Sequence, residues 1–434
     1  VAFIRIQRKE ILMQRQHLMP WLFLAASFLF VGAKPAPTKR PAIPPPSADA
    51  VAKLAQSSNA FGFDLYQRLR RQPGNLVISP ASLTTALAMA WGGAKGDTAA
   101  QMRAVLHLEG TADEVMTLSG QLASSLQNPA RPVVFRIANQ LFCEQTYKLV
   151  PAFVAKTRAA FGAPVELLDF KKAPERSRVH INQWVEEKTR HRIQNLIPRD
   201  AVQPDTRLVL VNAIYFLGDW DDPFNHDETR PMPFHLTASE ARDVPTMNNR
   251  GGFRIVQKDG VTALEIPYKG GELSMMLLLP DAIDGLAAVE GTLDAKKIDG
   301  LASAMKIELV WVALPKFEVN PGESLALGEN LKALGMPLAF DLNLADFTGI
   351  ANPPNSAQRL AIGEVFHKGF VKVDEKGTEA AAATALMGLE VGVAPGGGGG
   401  PRPFQVDRPF LFLIRDNASG LILFLGRVSD PRQR

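Results

Sequence analysis

Among the side chains of this 434-residue sequence, the pair that most resembles a nucleophile with its base is Ser303 and Lys306, in Ser303-Ala304-Met305-Lys306. A lysine one helical turn from a serine can take up the hydroxyl proton and prepare the oxygen for acyl transfer. Penicillin-recognising enzymes, which use this pairing, also need a strand bearing Lys-Thr-Gly or Lys-Ser-Gly. Neither tripeptide occurs here, so a Ser303/Lys306 hydrolase is the weakest of the readings. A Gly-x-Ser-x-Gly elbow, a phosphate-binding glycine loop and a dinucleotide fingerprint are all missing. The seven histidines are scattered, without His-Glu-x-x-His. Cys143 is the single cysteine, so neither an intramolecular disulfide nor a four-cysteine metal centre can form. No metal and no cofactor is expected.

The most unusual composition lies between Glu375 and Gly400. Glu375-Lys376-Gly377-Thr378-Glu379 leads into Ala380-Ala381-Ala382-Ala383-Thr384-Ala385. Leu386-Met387-Gly388-Leu389-Glu390-Val391-Gly392-Val393-Ala394-Pro395 and five glycines follow. Alanine favours helix, but the run has no bulky apolar face to dock on a core. The glycines read as flexible coil. From these residues alone, a surface loop with a short helix remains open beside a segment whose small side chains fit more than one buried setting.

The elements around these residues read as one continuous α+β domain, residues 49–434. Hydrophobic residues make 46% and charged residues 21% of the chain, ordinary for a globule and wrong for a disordered chain, fibre or coiled coil. Residues 1–33 read as a secretory signal peptide. A basic segment runs to about Arg15, an apolar run spans Trp21 to Phe30, and Val31-Gly32-Ala33 offers cleavage after Ala33. An uncleaved anchor is the alternative. Residues 34–48 are proline-rich and read as an extended spacer. Arg5, Arg8, Lys9 and Arg15 against Glu10 supply most of the formal net charge of +4. The body is therefore near neutral and carries no nucleic-acid footprint.

Within the body, Phe61, Leu65, Tyr66 and Leu69 share a helical face. Asn75 to Pro80 reads as a short strand stopped by proline. Ser82 is placed to cap a helix from Leu83 to Trp91, ended by Gly92-Gly93. Helical patterning returns from Val179 through Thr189 to Ile193. Strand-like runs appear at 208–211, 273–279, 307–312, 410–414 and 421–425. Helices lead and strands dominate later without strict alternation, which argues for antiparallel or mixed sheets rather than βαβ units.

Ordered blocks along the chain resemble the serpins, the serine-protease inhibitor family, from about Ser58 to Pro431. They include Asn75-Leu76-Val77-Ile78-Ser79-Pro80, Asn212-Ala213-Ile214-Tyr215-Phe216 with Trp220, Pro267-Tyr268, and Leu314-Pro315-Lys316-Phe317. Val373-Asp374-Glu375-Lys376-Gly377-Thr378-Glu379 and Asp407-Arg408-Pro409-Phe410 complete the series. The resemblance implies three β-sheets, about nine helices and an exposed reactive loop. It also implies a suicide-substrate mechanism. A protease cleaves the loop, is held on it as an acyl-enzyme, and is dragged away as the amino-terminal half of the loop inserts into the main sheet.

On that reading Glu375, Gly377, Thr378, Glu379, Ala380, Ala381, Ala382, Ala383 and Thr384 form the hinge. Alternation sends Thr378, Ala380, Ala382 and Thr384 toward the core of the inserted strand, and none is large or charged. Thr378 is taken as exposed before cleavage. Ser79, Ser82, Asn212 and His367 match a polar cluster under the sheet centre; as single residues they could equally be independent buried hydrogen bonds. Lys316 and Glu375 match a pair at the base of the loop. The scissile bond falls after Val391, before Gly392, with Leu389 and Met387 as alternatives, and suits elastase-like or subtilisin-like proteases. The implied protein is a secreted bacterial-type monomer, non-enzymatic, without stable membrane association, whose partner is a serine protease bound covalently. A non-inhibitory serpin serving as a binding or chaperone module is the runner-up.

Overall fold

The computed structural model describes residues 46–162, 165–352, 359–378 and 400–433. Two large sheets carry the architecture. In the main sheet the strand order is Phe317–Val319, Ile362–Asp374, Gly377–Thr378, Leu208–Asp219, Val133–Glu144 and Glu166–Leu168, with Leu325–Ala326 also on Ile362–Asp374. The second sheet has nine strands, from Leu76–Ile78 through Ile422–Val428, Phe410–Asp416, Leu273–Pro280, Val261–Pro267, Ala241–Lys258 and Lys306–Pro315 to Arg402–Gln405. Arg230–His235 pairs with Ala241–Lys258. A two-stranded sheet joins Lys148–Leu149 to Ala351–Asn352. Nine α-helices lie among the described residues. This is the α+β serpin arrangement that the sequence blocks imply.

The sheets bury their inner faces against each other. Phe216, Ile214, Val371 and Val373 of the main sheet meet Tyr268, Met275, Phe412 and Phe424 of the second. The helix Pro80–Trp91 is buried along its whole length, and its hydroxyls are paired: Ser82 accepts from Asn212, Thr84 donates to Ser58 and Thr85 to the Ala81 carbonyl. Helix Pro174–Lys188 covers the outer face of the main sheet through Ile181 and Val185, which pack with Phe142, Tyr215 and Phe370.

Several boundaries differ from the sequence reading. The first helix, Ala48–Leu69, begins well before Phe61, and Ser47 caps it by accepting from the Ala50 amide. The ordered fold therefore takes in the end of the stretch assigned to the spacer. Ser79, not Ser82, caps the helix Pro80–Trp91; its hydroxyl accepts from the Ser82 amide at 3.3 Å. The strand does end before the proline, at Ile78, and Pro80 opens the helix, at a place where a missing N–H costs nothing. Helix Pro174–Lys188 stops short of Ile193, because Arg190 and His191 adopt positive φ. Helix Ala295–Ala304 ends between Ser303 and Lys306, and Lys306 opens a strand. That break removes the helical turn a Ser-x-x-Lys site requires.

Candidate functional site

The strands Ile362–Asp374 and Leu208–Asp219 lie parallel side by side from Ile362↔Leu208 to Phe370↔Tyr215. Above Phe370 they part, and Gly377–Thr378 fills the gap. Thr378 pairs with Val373 on one side and Gly218 on the other; Gly377 pairs with Asp374 and Asp219. Gly377 is required by close approach. A Cβ there would sit 2.0 Å from the Gly218 carbonyl oxygen.

The turn leading into this rung is held by backbone groups. The Trp220 amide donates to the Lys376 carbonyl at 2.8 Å, the Phe224 amide to the Glu375 carbonyl at 2.8 Å, and the Trp220 indole to the Asp374 carbonyl at 3.0 Å. Thr378 is fully buried, and its hydroxyl shares a 2.7 Å hydrogen bond with that of Tyr268. This corrects the expectation of an exposed Thr378: the first hinge side chain is already seated in the main sheet.

Lys316 and Glu375 meet as the family blocks imply. Lys316 Nζ donates to both carboxylate oxygens of Glu375, at 3.0 and 2.8 Å, and the Thr229 hydroxyl donates to Oε1 at 2.9 Å. Burial pushes the Glu375 pKa up, but the bonds from Lys316 and Thr229 outweigh it and the carboxyl stays below its ordinary range. Only 9% of the Glu375 side chain is exposed against 36% of Lys316. The pair is therefore stronger than an open surface bridge.

Ser79, Ser82, Asn212 and His367 form one connected cluster where the two central strands are still paired. His367 and Asn212 sit opposite each other in register. His367 Nε2 accepts from the Ser79 amide at 3.1 Å, so that nitrogen carries no proton, and Nδ1–H donates to Asn212 Oδ1 at 2.5 Å. The Asn212 amide donates to Ser82 Oγ at 2.7 Å and to Asn139 Oδ1 at 2.6 Å. Burial holds the His367 pKa down to about 3, with Asn212 pulling weakly the other way. The imidazole is neutral at any ordinary pH.

Asn139 is a member that sequence reasoning missed. Its strand alternates inward at Val133, Phe135 and Ile137, and a polar residue next in that series was the available signal. Thr229, Trp220 and Tyr268 at the top of the gap were missed as hinge contacts: Trp220 and Tyr268 stand in family blocks, but nothing in those blocks says that they meet the hinge. Glu379 to Thr384, Met387, Leu389, Val391 and Gly392 lie outside the described residues, as do 1–33 and most of 34–48.

A family model for serpins, serine protease inhibitors, matches residues 56–431. The chain belongs to the serpin family. The leukocyte elastase inhibitor of Equus caballus is 36% identical over 389 residues, covering 87% of this serpin and 100% of the relative. The crystal structure of Serpin48 of Tenebrio molitor superposes with a TM-score of 0.77 at 33% identity, over 87% of this serpin and 98% of that chain. Human thyroxine-binding globulin with bound thyroxine superposes with a TM-score of 0.78 at 26% identity, over 88% and 100%. The family is one of protease inhibitors, and among these relatives one is named for inhibition of an elastase and another for binding thyroxine.

Proposed function

We propose that this serpin traps elastase-like or subtilisin-like serine proteases covalently, by inserting its hinge between the strands Ile362–Asp374 and Leu208–Asp219. The observation that carries this reading is the two-sided pairing of Gly377–Thr378. Extended down the sheet from these two pairs, the same register after insertion would set residue 380 opposite Phe216 and Val371, 382 opposite Ile214 and Gly369, and 384 opposite Asn212 and His367. On this face Phe216, Ile214 and Val371 are already packed in the core, which favours side chains as small as Ala380 and Ala382. Thr384 would meet the polar cluster with a hydroxyl.

The other face is covered as well. Ala381 would lie between Tyr215 and Phe370, and Ala383 beside Ala213, under helix Pro174–Lys188. Glu379 would stand beside Lys372, so its charge finds an opposite charge, and the neutral Ala383 would stand beside Lys368. A buried unpaired charge elsewhere in the slot would stall insertion.

In the reaction the protease serine oxygen attacks the Val391 carbonyl carbon, the bond to Gly392 breaks, and the Gly392 nitrogen leaves as a protonated amine. Val391 remains as the acyl ester that insertion protects from water. A valine suits a shallow apolar primary pocket, in line with the elastase named for the horse relative. Mixing with elastase should give an SDS-stable band at the summed mass, and the released carboxyl-terminal peptide should begin at Gly392. Peptides beginning at Glu390 or Gly388 would move the bond to Leu389 or Met387. Cleavage with no covalent band would favour the second reading, a binding module, for which the likeness to the thyroxine-binding globulin speaks. The leader at residues 1–33 makes the proposed setting extracellular or periplasmic, and a monomer is the proposed state. A mature amino terminus at Lys34 in the culture medium is the expected finding; retention in membranes would overturn secretion.

A further inference from the structure

We propose that Tyr268 is the positioning residue of the hinge: its hydroxyl keeps Thr378 seated, so that insertion lengthens an existing strand instead of starting one. The inference rests on the inhibitory reading. Tyr268 comes from the opposite sheet, just past strand Val261–Pro267, and bridges to Trp220. Its ring is fully buried. Trp220 stacks on it at 4.6 Å and 16°, and Phe216 meets it edge-on at 5.0 Å and 83°. These contacts leave the ring no freedom to turn its hydroxyl elsewhere. Among the described residues, the Thr378 hydroxyl is the only hydrogen-bond partner of that oxygen. Burial raises the phenol far above its ordinary pKa, an effect the bond to Thr378 only partly offsets, so it stays a neutral donor and acceptor.

A buried hydroxyl whose one partner sits on the hinge is satisfied only while the hinge is in place. Unseating Thr378 orphans two hydroxyls at once. The same geometry sets a requirement on the side chain at 378, which must be small and must carry a hydroxyl. With the first rung fixed, each later rung adds pairing to a strand already aligned. Without it, the cleaved segment must first find its register, at the entropic cost of ordering free chain, while water competes for the acyl ester.

The test compares Tyr268→Phe, Thr378→Val, the double variant and Thr378→Ser. Hydrogen exchange of the peptide containing Gly377 and Thr378 should quicken roughly tenfold in each single variant, the equivalent of one lost buried hydrogen bond. The double variant should exchange far less than the product of the two, and Thr378→Ser should match wild type. In titrations against elastase, Tyr268→Phe and Thr378→Val should consume severalfold more inhibitor per protease inactivated, with loop cleavage no slower. Faster exchange with unchanged stoichiometry would overturn the positioning role, and unchanged exchange would show that the bond does not hold the hinge. Should Tyr268→Phe fail to fold, Thr378→Val breaks the same bond from the hinge side. Faster exchange in the variants, together with a wild type that forms no covalent complex, would count against the inhibitory reading while supporting the seating of Thr378 by Tyr268.

Discussion

His367 illustrates how a single buried group ties this fold to pH. Its folded pKa of about 3 lies well below the ordinary 6.5. The unfolded chain therefore takes up a proton at a pH where the folded chain does not. The stabilisation is fully present above about pH 6.5 and is lost as the pH falls toward 3, by at most about 1.4 kcal/mol per unit. The half-life of the native state at fixed temperature should shorten from pH 7 to pH 5, and His367→Gln should flatten that part of the profile. An equally steep profile in the variant would assign the effect elsewhere. At the proposed scissile position, Val391→Arg should weaken inhibition of elastase and create inhibition of trypsin, whose buried carboxylate offers arginine a charge-assisted contact. Kinetic titration with both proteases checks this; a variant that still prefers elastase would mean that Val391 does not enter the primary pocket. The four cluster residues and the Lys316/Glu375 pair were legible because their neighbours in sequence carry family blocks. Asn139 and Thr229 contribute equally good contacts, and Tyr268, though it stands in a family block, meets Thr378; these contacts are made by sheet register and inter-sheet packing, which no local stretch of sequence encodes.

At the scale of elements, the slot between Ile362–Asp374 and Leu208–Asp219 sets what the hinge can contain. Alternation along the hinge was readable from sequence, and so was the smallness of its core-facing set. What alternation could not say is how far the strand has already entered. That depends on the gap above Phe370↔Tyr215 and on Gly377 passing against Gly218. The consequence for mutagenesis is direct. An arginine at Thr378 would be forced into a fully buried site and would disturb the unreacted fold, so it does not isolate insertion. Ala382→Arg does, because it leaves the seated rung untouched and places the charge opposite Ile214 and Gly369 only after insertion. This variant should melt like wild type yet be turned over by elastase as a substrate, seen as cleaved inhibitor without covalent band. Normal trapping by Ala382→Arg would contradict the register. The break between Ser303 and Lys306 is another lesson at this scale. Four residues of suggestive sequence meant nothing once a helix ended between them.

For the whole molecule, the order of helices and strands, the mixed sheets and the blocks from Ser58 to Pro431 were enough to read the fold. The limits of individual elements were set by caps and positive-φ residues that the pattern underdetermines. The central claim concerns energy rather than topology: the uncleaved protein is a kinetic state. Its two central strands are paired parallel up to Phe370 and Tyr215, and among the described residues Gly377–Thr378 stands between them at the top. Insertion would exchange that single parallel seam for two antiparallel seams along the same strands. The measurement that tests this most directly is thermal unfolding of the intact protein beside protein cleaved once between Leu386 and Pro395. A sharply higher midpoint after cleavage is the expected result. Equal melting of the two forms would contradict insertion and, with it, the trapping mechanism.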